Sequence, residues 1–322
     1  MIRRWRRMTA LLGLGLTCLL ACFPGQARAE IQIELGLQGG YRQDSLDWTI
    51  AGNVDVLSEL EWTELDIYQL QLTMGLLSQP ILPSARLAGR ALLGVGSIVA
   101  GDNRDSDYAG NQRSLEFSRS NNDAGDGRVY DLSLAVGLQF EPTPGLQLTP
   151  LLGLSYHEQQ LVLQDGIQTL SQPQLVAHSS FSPPVLGPFP GLDSSYDARW
   201  YGPWIGCDLS YQFSPRWRLS GTAELHWGEM KAEADWNLRS DFAHPVSFRQ
   251  TADAYGLVLG VASHYALNER WALHLGAKYS DWWTDPGLDR IYFADGKVGN
   301  TRLNEVNWNS FALLAGVQYR FP

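Results

Sequence analysis

From Glu30 onward the chain alternates apolar and polar positions with a period of two, stretch after stretch. Leu132, Leu134, Val136, Leu138 and Phe140 share one face, while Asp131, Ser133, Ala135, Gly137 and Gln139 take the other. Leu146, Leu148, Pro150, Leu152, Leu154 and Tyr156 likewise oppose Gln147, Thr149, Leu151, Gly153, Ser155 and His157. At the C-terminal end Phe311, Leu313, Ala315, Val317, Tyr319 and Phe321 oppose Ala312, Leu314, Gly316, Gln318 and Arg320. A period of two is that of a β-strand, whose successive side chains point to opposite faces. The pattern predicts ten strands, over 31–51, 55–77, 84–100, 128–140, 146–163, 197–213, 216–231, 247–265, 271–283 and 305–321. No apolar run of membrane-helix length follows Glu30. The longest candidate, Leu87 to Gly101, is short and holds Arg90, so no spanning helix is expected there.

Alternation alone fits a soluble sandwich as well as a membrane barrel. The connections separate the two. Tight joins at Gln79 to Ser84, Glu141 to Gly145, Ser214-Pro215 and Leu267 to Arg270 alternate with long polar stretches near 101–127, 165–195, 232–246 and 284–303. Short turns on one membrane surface and long loops on the other produce that rhythm, and a sandwich has no reason for it. The expected fold is therefore all-β: a single antiparallel transmembrane β-barrel of about ten strands with long extracellular loops, spanning residues 30–322 as one domain. Trp204, Tyr211, Phe213, Trp217, Trp227, Tyr255, Tyr265, Trp271, Tyr279 and Tyr319 fall near predicted strand ends, where interfacial girdles require aromatics. Asp131, Gln139, His157, Asp208, Glu224, His226, Lys278 and Arg320 fall on inward faces and are expected to form a hydrogen-bonded polar plug. Cys207 shares a face with Ile205 and Leu209 and reads as a small lipid-facing hydrophobe.

The first 29 residues have the form of a cleaved signal peptide. Arg3, Arg4, Arg6 and Arg7 precede an apolar stretch from Met8 to Phe23, and Ala27-Arg28-Ala29 supplies a small-x-small site before Glu30. Leu19-Leu20-Ala21-Cys22 offers a second reading, with Cys22 lipidated. Both send the chain out of the cytoplasm, and the barrel reading sends it to the outer membrane of a Gram-negative cell.

Charge narrows the partners. Of the 24 Lys and Arg residues, five lie in the leader, which holds no acid, so 19 face 34 Asp and Glu beyond it, a balance of −15. Only three residues are lysines, Lys231, Lys278 and Lys297. Such a chain lacks the basic footprint that nucleic-acid binding needs. No cofactor or metal is expected: Cys207 is the one cysteine left after the leader, and Gly-x-Gly occurrences such as Gly94-Val-Gly96 lie inside a strand. The lipid bilayer, with lipopolysaccharide, is the expected setting, and the acidic loops favour cations or basic peptides.

Two loops gather groups capable of acid–base chemistry. Asp105 and Asp107, two apart, point the same way if their strand continues, and paired carboxylates share protons unequally. Across the mouth lie Asp235-Trp236-Asn237 and, further on, Asp241 and His244; a His oriented by an Asp is a general base. Glu116 and Arg119, in the alternating run from Ser114 to Ser120, are expected to pair across the barrel, as a structural salt bridge rather than a ligand site.

Arg86 to Tyr108, a strand followed by Asp-x-Asp-aromatic, the run Tyr201-Gly-Pro-Trp-Ile-Gly, the strand pair around 216–231, and Tyr255 to Tyr265 together resemble the omptins, ten-stranded outer-membrane endoproteases. The resemblance is one of strand order, loop placement and short motifs over most of residues 31–321. It implies that Asp105 and Asp107 match an aspartate pair that activates water. The opposing Asp-x-His dyad is not matched: Asp235-Trp236-Asn237 places Asn where the family has His, and Asn cannot accept the proton. His244 substitutes only if the loop folds it back toward Asp235 or Asp241. Two functions follow as expectations: a barrel without an intact dyad, serving in surface binding, structure or as a narrow channel, or an endopeptidase using Asp105, Asp107, Asp235 and His244.

Overall fold

The computed structural model describes residues 31–177 and 182–321. The expected signal peptide, residues 1–29, lies outside the described residues. The strands are β1 (Gln32–Ala51), β2 (Ser58–Leu82), β3 (Ala85–Tyr108), β4 (Glu116–Asp123), β5 (Gly127–Thr143), β6 (Leu146–Ser171), β7 (Gly187–Pro188), β8 (Asp193–Gln212), β9 (Trp217–Asp235), β10 (Phe248–Ala266), β11 (Trp271–Thr284), β12 (Gly287–Tyr292) and β13 (Val298–Arg320). All pair antiparallel with their neighbours, and β1 pairs with β13, which closes the ring. β4 and β5 follow one another along a single stave, each bridging β3 to β6. β11 and β12 share another, each pairing with β10 and β13. The ring thus has ten staves, one for each strand the alternation predicts.

The outer face is apolar because it meets lipid. Leu37, Tyr68, Leu70, Leu93, Leu134, Val136, Leu152, Leu154, Leu225, Val261 and Leu275 all stand out from the wall. At the short-turn rim Trp217 packs against Tyr265 and Phe213, and Trp271 against Tyr319. At the other edge of the belt lie Tyr41 against Tyr68 and Tyr255 against Trp283. Trp204 departs from the girdle expected of it. It is fully buried inside the lumen, because on β8 the outward positions are Ile205, Cys207, Leu209 and Tyr211 and the even-numbered ones point in.

A tilted strand crosses a bilayer in about 9–11 residues, yet β2, β3 and β6 run for 25, 24 and 26 residues. The excess projects beyond the belt on the long-loop side. Stretches read as loops, 101–127 and 284–303, here continue as β3, β4, β12 and the start of β13, because paired strands satisfy the backbone groups that a loop would leave to water. From the level of the upper girdle outward, the inner face carries a packed apolar core. Trp48, Trp62, Trp200, Trp282, Trp308, Tyr196 and Phe248 fill it together with Leu46, Leu60, Leu161, Met230, Leu303 and Val306. Tyr196 stacks on Trp62 and on Trp48 at 5.0 and 6.2 Å between centroids, and Trp282 stacks on Trp308 at 5.6 Å. Two glycines make room for indoles lying flat on the wall. Trp204 and Trp282 occupy the space a Cβ on Gly153 or Gly256 would need, at 2.3 and 2.6 Å, across the cross-strand pairs they form with them.

Candidate functional site

β3 carries Asp105 and Asp107 to the mouth on its inward face. Asp105 stands opposite Leu60 and Ser120, and Asp107 opposite Ser58 and Ser118, with Leu60 part of the apolar core. The two acids are therefore set at the top of an oily packing layer. Burial is the leading cause that raises both carboxyls, Asp107 to about 6, and the neighbouring Asp107 charge lifts Asp105 further. Ser58, Ser118 and the Arg239 guanidinium pull Asp107 the other way. Among the described residues Asp105 Oδ1, which is buried, has no hydrogen-bond partner. Arg239 comes from the connection between β9 and β10, where it forks onto Asp241 at 2.8 Å through both Nε and Nη2 and lies 4.1 Å over the Phe242 ring.

The same connection folds His244 back onto Asp235. His244 Nδ1–H donates to Asp235 Oδ1 at 2.6 Å. Yet Asp235 sits on the outside of the wall. Along β9 the inward residues are Met230, Ala232 and Ala234, all buried in the core, while Glu229, Lys231, Glu233 and Asp235 alternate with them and point out. The structure therefore joins Asp105 to Asp107 and Asp235 to His244, but places the two pairs on opposite faces of the barrel wall. Asn237 has its own task. Its Oδ1 accepts from Asp193 N and Ser194 Oγ, and its Nδ2 donates to Gly191 O, tying the end of β9 to the start of β8. The Glu116–Arg119 pair forms, but not across the barrel: the two residues lie three apart on β4 and meet as a local contact.

Below the aromatic core the lumen turns polar. Arg42 bridges Asp44 at 2.5 Å and Asp131 at 2.9 Å, all three buried, and His157 Nδ1 bonds Asp131 Oδ1 at 2.7 Å. One layer down, Arg90 bridges Asp208 and Glu224, and His226 Nε2 donates to Glu224 at 2.9 Å. Beneath these lies a cavity of about 510 Å³ running to the short-turn rim at Gln32 and Arg320. Of the inward polar residues expected from alternation, Asp131, His157, Asp208, Glu224 and His226 belong to this network, while Gln139 reaches only Gln147, Arg320 pairs with Glu34 at the rim, and Lys278 stands beside the network without a direct bond among the described residues. Sequence reasoning did not pick out Trp48, Trp62, Tyr196 and Trp200 as lumen filling, although their parity along β1, β2 and β8 is the signal that finds them. Among the described residues no group of three or more His, Cys, Asp or Glu is placed to hold a metal.

The Protochlamydia outer membrane protein family matches residues 36–321. The chain belongs to that family. It is an outer-membrane protein. Its structure is similar to the outer membrane protease OmpT from Escherichia coli, with a TM-score of 0.69 at 14% identity over 92% of this chain and 99% of OmpT. At that identity the likeness shows a shared barrel fold and nothing of activity. Weaker likenesses are to the translocator domain of the autotransporter NalP from Neisseria meningitidis, TM-score 0.37 at 12% identity over 99% of this chain and 98% of that one. The outer membrane protein OprG from Pseudomonas aeruginosa scores 0.30 at 12% identity over 92% of this chain and 98% of that one. No curated relative matches the chain by sequence.

Proposed function

We propose that this Protochlamydia outer membrane protein family member is a sealed, non-catalytic barrel of a Gram-negative outer membrane, a structural surface protein whose projecting staves and loops bind partners outside the cell. The observation that carries the reading is the aromatic core: Trp48, Trp62, Trp200, Trp282 and Trp308 fill the lumen from wall to wall above the polar layers, so ions have no wetted route. The separation of the acid pair from Asp235–His244 argues in the same direction. A general base must come within hydrogen-bond reach of the proton it takes, and a base on the outer wall does not reach a water held inside. Outside, the ladder of Arg249, Glu233, Arg199 and Glu158 above the girdle offers alternating charge to lipopolysaccharide headgroups. The acidic loops of a strongly acidic chain favour cations or basic peptides at the mouth.

The endopeptidase reading keeps one supporting observation, the hydrogen bond between His244 and Asp235. Refolded protein in planar bilayers and in a basic-peptide cleavage assay tests both. A silent bilayer and intact peptide are expected. Discrete conductance steps, or cleavage lost in Asp107→Ala and His244→Ala, would overturn the proposal.

A further inference from the structure

The chamber beneath the polar layers has an unusual charge balance for this chain. Its lining holds three acids, and each is already committed: Glu34 to Arg218 and Arg320, Asp208 to Arg90, and Glu224 to Arg90 and His226. Among the described residues, two cations in the same lining have no ion-pair or hydrogen-bond partner, Lys278 near the ceiling and Arg86 toward the rim. Lys278 lies within electrostatic reach of Asp131 and Glu224, but Arg42, His157, Arg90 and His226 hold those carboxylates directly. Five side-chain cations thus face three anions in a wall section of a protein that is otherwise strongly acidic. At the ceiling His157, 95% buried, spends Nδ1 on Asp131 and leaves Nε2 without a partner among the described residues.

We propose that this chamber is a dead-end binding site for a small oxyanion, a carboxylate or phosphate admitted from the periplasm and held by Lys278 and Arg86. The space, about 510 Å³, is that of a small-molecule pocket. It is reached from the short-turn rim, which outer-membrane barrels direct toward the periplasm. Low-dielectric walls strengthen the attraction of unpaired cations for an anion that enters. An anion there completes charges that the protein leaves open, and a cation or neutral solute gains nothing comparable. The dead end rests on the sealed-lumen reading; the site itself does not. Bilayer conductance with anion binding intact would make the chamber part of a route and leave its ligand chemistry standing.

Calorimetric titration of the refolded barrel in neutral detergent at low salt, with inorganic phosphate in one arm and succinate in the other, tests it. Saturable one-to-one binding is expected in at least one arm, and the arm that binds names the oxyanion. Lys278→Gln is expected to weaken that binding at least tenfold and Arg86→Gln several-fold. Lys231→Gln, which removes an equal charge from the outer wall, is expected to leave it unchanged. Heat-modifiable gel mobility checks that each barrel is closed; should Lys278→Gln fail to close, Arg86→Gln at the open end carries the test. Absence of saturable binding in both arms overturns the proposal. Wild-type affinity in the chamber variants, or an equal loss in Lys231→Gln, overturns it as well.

Discussion

His244 and Asp235 bracket the connection between β9 and β10, nine residues apart, and close it with a bond of 2.6 Å from Nδ1–H to Oδ1. Both side chains keep solvent contact, 39% exposed for the imidazole and 29% for the carboxylate. The bond brings the two ends of the loop together while Arg239 and Phe242, midway along it, turn to the mouth and to Phe293. In this arrangement the pair acts as a loop clasp on the outer surface.

An exposed ion pair of that kind is worth about 0–1 kcal/mol. His244→Ala is therefore expected to lower barrel stability by no more than about 1 kcal/mol, with increased protease nicking confined to the 236–247 connection. Urea midpoints and limited proteolysis check this; a loss of several kcal/mol would mean that the pair supports more than its own loop.

The mouth acids set a pH dependence. Burial raises Asp107 to about 6 and raises Asp105 as well, while Asp289 on β12, held off from water, also rises to about 6. For an acid raised above its unfolded value near 3.8, the folded state keeps protons that the unfolded chain releases at higher pH. The stability this confers is complete below about pH 4 and is lost as pH climbs through about 6. Asp107→Asn is expected to flatten that decline, recovering about 1–3 kcal/mol at pH 7.5 and nothing at pH 4. Unfolding midpoints measured from pH 4 to pH 8 decide it; an unchanged slope in the variant would count against a buried Asp107.

Most of the barrel was legible because one number, the period of two, recurs in every stave, and the tight joins at Ser214-Pro215 and Leu267 to Arg270 mark where staves reverse. What escaped was the projecting half. Asp102 to Tyr108 and Glu116 to Asp123 carry the polar, charged composition of loops, yet they pair as β3 and β4 because their inward partners Leu60 and Trp62 belong to a buried core. Parity placed Asp105 and Asp107 side by side. It could not say which wall face Asp235 occupies relative to them, since that depends on how β9 sits across the ring. The fold-back of His244 depends on the path of the connection, which no local pattern specifies. Trp204 illustrates the cost of reading position along a strand without parity: an aromatic near a strand end is a girdle residue only if it points out.

Gly256 and Gly153 bear directly on the lumen. A Cβ on Gly256 meets the Trp282 ring at 2.6 Å, and one on Gly153 meets Trp204 at 2.3 Å. Gly256→Val is expected to push Trp282 off the wall and cost about 1–3 kcal/mol, the range for overpacking a filled interior. A lowered urea midpoint together with red-shifted tryptophan emission would register it; a neutral effect would show that the indole has room to shift.

Arg42 holds two buried carboxylates, Asp44 and Asp131, the second of which is also bonded by His157. Asp44 is 2% and Asp131 4% exposed, and among the described residues Asp44 otherwise accepts from Gln159 and the Trp308 indole. Arg42→Met strips the cation from both, and breaking one side of a buried pair costs about 3–5 kcal/mol. Replacing all three members with apolar residues of similar volume is expected to recover most of the loss. Refolding yield and urea midpoint of the single and triple variants measure the difference.

The continuity of the long staves through two surroundings carries a mechanical implication. The same sheet is greasy outward where lipid surrounds it and greasy inward where water does, so its polarity inverts part-way along each stave. A sheet built this way has one preferred depth in the bilayer, since sliding either way would put oily surface into water or strip charged wall of its hydration. The inversion acts as a built-in draught mark, fixing how far the molecule stands above the cell surface and so where its loops can reach.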